Sequence, residues 1–441
     1  MDLLDEAERV VRQAMARGAD QAEAYVEQGA SMGLDLEQGA VTGSSRSQDR
    51  GGAVRVLKGG SLGFAYYTDP KDAPKAVDDA LRLSTLAPVK PFRFPHGAPV
   101  TDLAGRWDEA IAGLDPDMAL GLATDLLQGA KEAAPQSTVA GGVSLGWSAC
   151  AIANSEGVAC ADRATSVDVG ASLILADGER SINAWDGTGQ HAGLPDAHAV
   201  GHAVGTTVMD LRAPMAVESG VQDLVFRPDA VAELVTGVVL SAVDGDDALR
   251  GKSFWSDRMD AQVADAAVSL FDDPRDPAGY GTVPFDGEGV PATCRAIIED
   301  GVLRSFLFDS RDAADHGRQT TGHAVRSGFK SPPGTGAHHV VLEGKAPVPE
   351  DRLVAGIDDG ILVDSVLGAH TANATTGDFS VTAANAWRIE GGAVAGACQE
   401  VAIGGNLSQL LLRLDGVGDV SKVMSGARIP ALRFRDVQVS A

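Results

Sequence analysis

The stretch Leu224–Trp255 constrains the fold more than any other. Leu224–Phe226 is a short apolar run that reads as a strand and stops at Pro228. Val231, Leu234, Val235, Val238, Val239 and Val243 then recur three to four residues apart, so one face of a helix is apolar and belongs in a core. Arg227-Pro228-Asp229 carries the start signals, a proline near the first turn and an acid at the positive end of the dipole. Asp244-Gly245-Asp246 predicts the end, with Gly245 as a left-handed cap. The expected product is a core helix with almost no polar side chain on it.

At 441 residues the chain exceeds one ordinary domain, and two are expected. Its 53 glycines are well above the usual ~7% and show no repeat period, which fits the many tight turns of a sheet-rich protein. The formal net charge is −25, and no Lys/Arg cluster interrupts it. Phosphate-mediated nucleic-acid binding needs such clusters, so no nucleic acid and no anionic membrane surface is expected as a partner. The acidity is read as solubility or life at high salt. Cys150, Cys160, Cys294 and Cys398 are scattered and form no disulfide framework, so reduced thiols in a cytoplasmic protein are expected. The acidic start Met1–Glu6 is unlike a signal peptide, and no apolar run approaches the ~20 residues of a spanning helix.

Along the chain, Leu3–Arg17 predicts an amphipathic helix ended by Gly18. Ala22–Gln28, Gly33–Gln38 and Gly51–Leu57 read as strands, and Lys58-Gly59-Gly60 as a hairpin turn into Ser61–Thr68. Helices follow at Lys71–Leu86 and Pro116–Ala134, with an extended Pro-rich crossing segment, Pro88–Pro99, between them. Thr138–Ser148, Ala149–Ala153, Ala159–Leu175 and Ser181–Asp186 are further strands, and Pro195–Leu211 a helix. The fold class is therefore α+β, with an N-terminal domain over 1–215 built on an antiparallel sheet. Residues 216–441 are mostly antiparallel strand signals, including Val268–Phe271, Ala292–Ile298, Val302–Asp309, Phe379–Ile389, Ala393–Val401 and Ala431–Val439. They predict a β-rich, barrel-like second domain with the key helix against it.

Few residues carry chemistry in a recognisable pattern. Asp286 and Glu288 are paired acids in a glycine-rich strand entry, able to hold a substrate amine or a partner's arginine, although Asp286-Gly287 also makes a simple turn. His338 and His339 sit next to each other, and on a strand such neighbours point to opposite faces and cannot easily share a metal. Asn373-Ala374-Thr375-Thr376-Gly377-Asp378 is oxygen-rich and can order itself by side-chain-to-backbone bonds. The Gly-x-Ser-x-Gly strings at 29–33, 59–63 and 142–146 fall within or between strand signals and make no nucleophile elbow on a strand-to-helix turn, and no phosphate-binding Gly-rich loop occurs.

Several stretches resemble the TldD/PmbA family, also called the modulator of DNA gyrase family. They include Pro284–Ser310, Thr321-Gly322-His323-Ala324, Ile403-Gly404-Gly405-Asn406-Leu407 and Asn373–Ser380, where Ala374 replaces the proline of the family's Asn-Pro-x-Thr-Gly-Asp-Phe-Ser signature. In the metal-bearing TldD kind, the strand–helix unit at 224–249 carries His-Glu-x-x-x-His. Here those positions are Thr236, Gly237 and Ser241, with no imidazole and no general base. The late cysteine of that kind is also missing, the comparable stretch running Val417–Ala427 without one. The resemblance is to the PmbA (TldE) kind, and it implies no catalytic residue and no metal in this chain. Zinc is expected on a TldD-type metallopeptidase partner, and a peptide cleft containing Asp286, Glu288, His323, Asn373, Thr376 and Asp378. The implied function is a non-catalytic subunit acting on unfolded or extended peptides. The alternatives are a stand-alone peptide-binding or scaffold homodimer and, last, a gyrase regulator acting by DNA mimicry.

Overall fold

Alternating small apolar and polar residues on long strands dictate the first half. In this computed structural model, residues 2–86, 89 and 91–441 are described, without the side chains of Val235 and Thr236. Strands β1 (Gln21–Glu37), β2 (Ala40–Lys58), β3 (Ser61–Tyr67), β4 (Thr138–Asn154), β5 (Ala159–Asp177) and β6 (Arg180–Gln190) form an antiparallel sheet in the order β3-β2-β1-β4-β5-β6. Helices α1 (Leu3–Ala16) and α2 (Ala73–Leu83) cover one end. After the short α3 (Glu109–Ala112), α4 (Pro116–Ala133) and α5 (Ala197–Asp210) cover the other. On that end Val143, Leu145, Val167, Val169, Ala171 and Leu173 point into the helices. The alternate residues Ser144, Gly146, Ser166, Asp168 and Gly170 line open hollows on the opposite face.

The two strands expected at Ala22–Gln28 and Gly33–Gln38 are one. Gly29 and Gly33 lie in the ladder opposite Ser148 and Ser144, and a Cβ at Gly29 would meet the Trp147 carbonyl at 2.9 Å. Glycine here marks close strand packing, not a turn. In the crossing segment, Ala87, Pro88 and Lys90 lie outside the described residues; Phe94 is buried, and its N–H donates to Gln21 Oε1 at 3.0 Å.

The second half contains a closed barrel. Strands Ala427–Ser440, Val401–Asn406, Asp378–Glu390, Asp359–Leu367 and β7 (Gly220–Phe226) are joined in that order, and β7 pairs back to Ala427–Ser440. The arm Val340–Gly344, Val268–Asp272, Arg295–Glu299 and Val302–Leu303 extends from the last strand. The α+β class and the barrel-like second sheet are thus as expected. The strand expected over Val302–Asp309 is only Val302–Leu303, because Phe306, Leu307 and Phe308 are all buried, which an alternating strand with one wet face cannot achieve. Among the described residues no helix is long and apolar enough to cross a membrane.

The key helix departs from regularity. It runs as α6 (Pro228–Leu234), a π turn over Val235–Val239 and a last α turn, Leu240–Ala242. Val231, Leu234, Val238, Val239 and Val243 enter the barrel-side core as their spacing requires. Gly245 is no left-handed cap. Asp244 caps a new helix, Gly245–Leu249, its side chain accepting the Asp247 N–H at 3.0 Å. Gly245 is needed there because a Cβ would lie 2.2 Å from the Phe308 ring.

Candidate functional site: a cleft between the two sheets

The start of α6 faces strand β6 across a cleft of about 680 Å³. One wall is Arg180–Trp185, six successive residues of β6, the edge strand of its sheet. The other wall comes from Asp229, Ala232 and Glu233 of α6, Asp364–Leu367 and Asn385. Trp185, Asp229, Met424 and Ser425 also border a second hollow of about 460 Å³ over Gly142, Gly170 and Gly187, so the two form one groove.

Its carboxylates differ in what balances them. Lys422 Nζ bridges Asp186 and Asp229, at 2.5 and 2.8 Å. Burial alone would lower the Lys422 pKa, but the two carboxylates raise it. Arg227 holds Glu350 and Asp364 at 2.9 and 3.3 Å. Burial of Asp364 outweighs that cation, and its pKa rises. Glu233 has no ion-pair partner among the described residues; partial burial and then Asp229, one helical turn away, push it up to about 7. A carbon-detected NMR titration is expected to show the Glu233 carboxyl changing near pH 7, and to show that midpoint falling in Asp229→Asn. A midpoint near the ordinary ~4.3 in both proteins would contradict this electrostatic picture.

The residues singled out from sequence occupy three other places. Asp286 and Glu288 are 1% and 0% exposed, in the contact between the two halves. Asp286 accepts the N–H groups of Glu288, Val290 and Ala324, while Glu288 meets Arg55 at 2.8 Å and accepts the Ser310 N–H. His323 is 1% exposed, with Nε2 2.9 Å from Asp272 Oδ2 and Nδ1 against Thr321. His338 and His339 diverge, towards the Gly322 carbonyl and towards Asp276. Asn373, Thr376 and Asp378 form a surface turn: Asn373 accepts the N–H groups of Thr375 and Thr376, and Asp378 is held by Thr376 and Asn406, which keep its pKa low. None of the six borders the groove.

The Thr236 side chain lies outside the described residues. Gly237 packs against Ala369, and Ser241 is exposed, its Oγ 3.4 Å from the Gly237 carbonyl. Position 237 lies within the π turn and 241 just beyond it. A π turn closes i to i+5 and brings residues five apart towards one side. The helix thus departs from regular α geometry at 235–239, and threonine, glycine and serine at 236, 237 and 241 supply none of a zinc site's usual donors. That donor set does not fit a metal. Among the described residues, no three His, Cys, Asp or Glu side chains are grouped to hold one.

The groove residues themselves were missed. In sequence Asp229 reads as a dipole partner, and its spacing to Glu233, four residues on along the same helix, is the signal that points to the groove. Asp364, Asn385 and Trp185 come together only through strand pairing, which leaves no local signature.

The PmbA/TldA metallopeptidase C-terminal domain profile matches residues 219–441, the domain 1 profile 22–84 and the central domain profile 109–212. The chain is 23% identical over 452 residues to the metalloprotease PmbA of Escherichia coli O157:H7, covering 99% of this chain and 96% of that one. It is 26% identical over 371 residues to a metalloprotease of Methanothermobacter thermautotrophicus, covering 83% and 80%. The crystal structure of TldE from Thermococcus kodakarensis superposes with a TM-score of 0.92 at 22% identity, over 99% of this chain and 100% of that one, which establishes the shared fold. Profile matches spanning both sheets, and the barrel domain as a whole, make this chain a member of the PmbA/TldD metallopeptidase family.

Proposed function

We propose that the chain is the non-catalytic subunit of a TldD/TldE-type zinc metallopeptidase acting on unfolded or extended peptides, with zinc carried by a TldD-type partner. The observation that carries this reading is the π-distorted helix with Thr236, Gly237 and Ser241 at the motif positions. Peptide binding is supported by the groove. Trp185 is 61% exposed on its wall, and β6 has no second strand partner among the described residues. A free strand edge suits an extended chain, because main-chain hydrogen bonds then give affinity whatever the sequence.

Elemental analysis of the purified protein, dialysed against a weak chelator, is expected to find no stoichiometric zinc or iron. About one metal per chain would overturn the assignment and send attention to other donors. Self-association is expected when the partner is absent, because a cleft-forming subunit alone leaves its pairing surface uncovered. Light scattering giving a monomer at tens of micromolar, roughly where interfaces of ~1,600 Å² fill, would count against it.

A further inference from the structure

A pocket of about 570 Å³ lies between the crossing segment and the short helix Ser310–Asp315 with the turn that follows it, and the groove does not reach it. Its charge is opposite to that of the chain. The protein carries −25 overall, yet among the described residues no Asp or Glu lines this pocket, while Arg93, His96 and Arg318 do. Neither arginine has a carboxylate partner among the described residues; the Arg318 guanidinium lies over the Phe308 ring, 5.8 Å from its centroid. His96 stands 3.5 Å from Glu156, and both it and the arginines are exposed. Where carboxylates are in such excess, two arginines left unpaired beside one hollow hold their donors free.

Beneath them, Ser310 is 8% exposed and its Oγ is buried with no hydrogen-bond partner. Its N–H is already committed to Glu288, whose other oxygen is held by Arg55. A buried hydroxyl without a partner costs free energy that a ligand acceptor recovers. Phe92 and Pro291 add apolar wall. Guanidinium forks with a hydroxyl donor recognise oxyanions, and an apolar wall of this size takes a small organic body.

We propose that this pocket binds a small organic oxyanion, a carboxylate or phosphate monoester on an apolar or aromatic body. Calorimetry on the full chain at fixed ionic strength tests it, with benzoate, phenyl phosphate and neutral benzyl alcohol as probes. One of the two anions is expected to bind one per chain, benzyl alcohol not at all, and the better anion tells carboxylate from phosphate. R93Q and R318Q are each expected to weaken binding about tenfold, the scale of one charge-assisted hydrogen bond. S310A should weaken it several-fold, and R12Q, which alters an exposed pair with Glu8 on α1, should leave it unchanged. The arginine variants are at the surface, so unchanged melting curves separate lost binding from lost folding. No saturable binding of either anion, equal binding of benzyl alcohol, or anion binding indifferent to both arginine variants overturns the proposal.

Discussion

Mixed with a family member that carries the His-Glu-x-x-x-His helix, the chain is expected to raise cleavage of an unstructured peptide roughly a hundredfold or more above either protein alone. That is the scale on which metal and acid–base catalysis operate. A chelator should abolish the gain, and mass spectrometry should find the peptide intact after incubation with this chain by itself. Chelator-sensitive cleavage by the unaccompanied chain would end the non-catalytic assignment. The variant Thr236→His, Gly237→Glu, Ser241→His is expected to remain inactive alone. Sequence offers three reasons for that outcome, and the structure removes one. A five-residue His spacing needs a distorted helix, and the π turn over Val235–Val239 supplies the distortion. Gly237 also tolerates a side chain, since its Cβ would make only ordinary contacts with Ala369, at 3.5 Å and beyond. The remaining reasons are chemical: no cysteine stands in 417–427, and the groups that orient ligand side chains were never selected here.

Arg55→Met is expected to cost about 3–5 kcal/mol, the usual penalty for stranding buried charges, out of a total that for most domains is ~5–15 kcal/mol. Arg55 is 2% exposed and binds Glu23 through two hydrogen bonds, of 2.9 and 2.6 Å, and Glu288 at 2.8 Å. Arg326, from the second half, also reaches Glu23. One arginine therefore neutralises a carboxylate from each half, and its loss strands Glu288 and leaves Glu23 to Arg326 alone. Urea unfolding should show a large fall in midpoint. Arg12→Ala, in an exposed helix pair, should stay within about 0.5 kcal/mol of the parent. A loss below about 1 kcal/mol for Arg55→Met would mean the pair is not buried as described.

The same junction sets a pH dependence of definite sign. Burial would raise the Glu23 carboxyl, but Arg55 and Arg326 more than offset it, and its pKa is lowered. Its stabilisation is present above the ordinary glutamate range and lost as pH falls through the depressed value. Asp286, raised by burial and then by Glu288, and Asp309, raised by burial and Glu288, each rise from 3.8 to about 7. Their effect is opposite: stability is full below their unfolded pKa and falls as pH climbs to about 7. Their share should make the protein less stable at pH 8 than at pH 5, whereas His191, His338 and His339, whose pKa values burial lowers, pull the other way below about pH 6.5. In Asp309→Asn the loss of stability between pH 5 and pH 8 should shrink, and a pH profile unchanged by that substitution would contradict the raised carboxyls.

Much of the architecture was legible because it is written in periodicity. The alternation in Ala159–Leu175 and the helical spacing from Val231 to Val243 fixed which faces are buried, and β7 began and ended where its composition changed. Errors fell where glycine has more than one use. Gly33 looked like a strand end and lies inside a ladder; Gly245 looked like a helix cap and makes room for Phe308. The groove was illegible for another reason. Its walls meet through pairings between distant strands, such as Leu362 with Trp387 and Val363 with Phe226, and no window of sequence holds both partners. Residues that stood out instead, Asp286, Glu288 and His323, are conspicuous as ionisable groups in apolar or glycine-rich surroundings. Buried ion pairs share that signature with binding sites.

The strand that closes the barrel also imposes an order on biosynthesis. Ala427–Ser440 bonds to β7, Val401–Asn406, Val340–Gly344 and Leu414–Met424. The first sheet and its four covering helices lie within residues 3–210, but the core under α4 and α5 is completed by Val225, Leu353, Trp387 and Ala431 of the second half. β7 emerges soon afterwards and waits for about two hundred more residues before its partner at 432–439 exists. At a bacterial-type elongation rate, ~5–20 residues per second, that interval lasts on the order of ten seconds or more. Throughout it the apolar face of α6 has no finished barrel to cover it. A nascent chain halted before residue 427 is therefore expected to present a second half that chaperones recognise as unfolded, with the α1–α2 end of the first sheet, whose core is all its own, the most protease-resistant part.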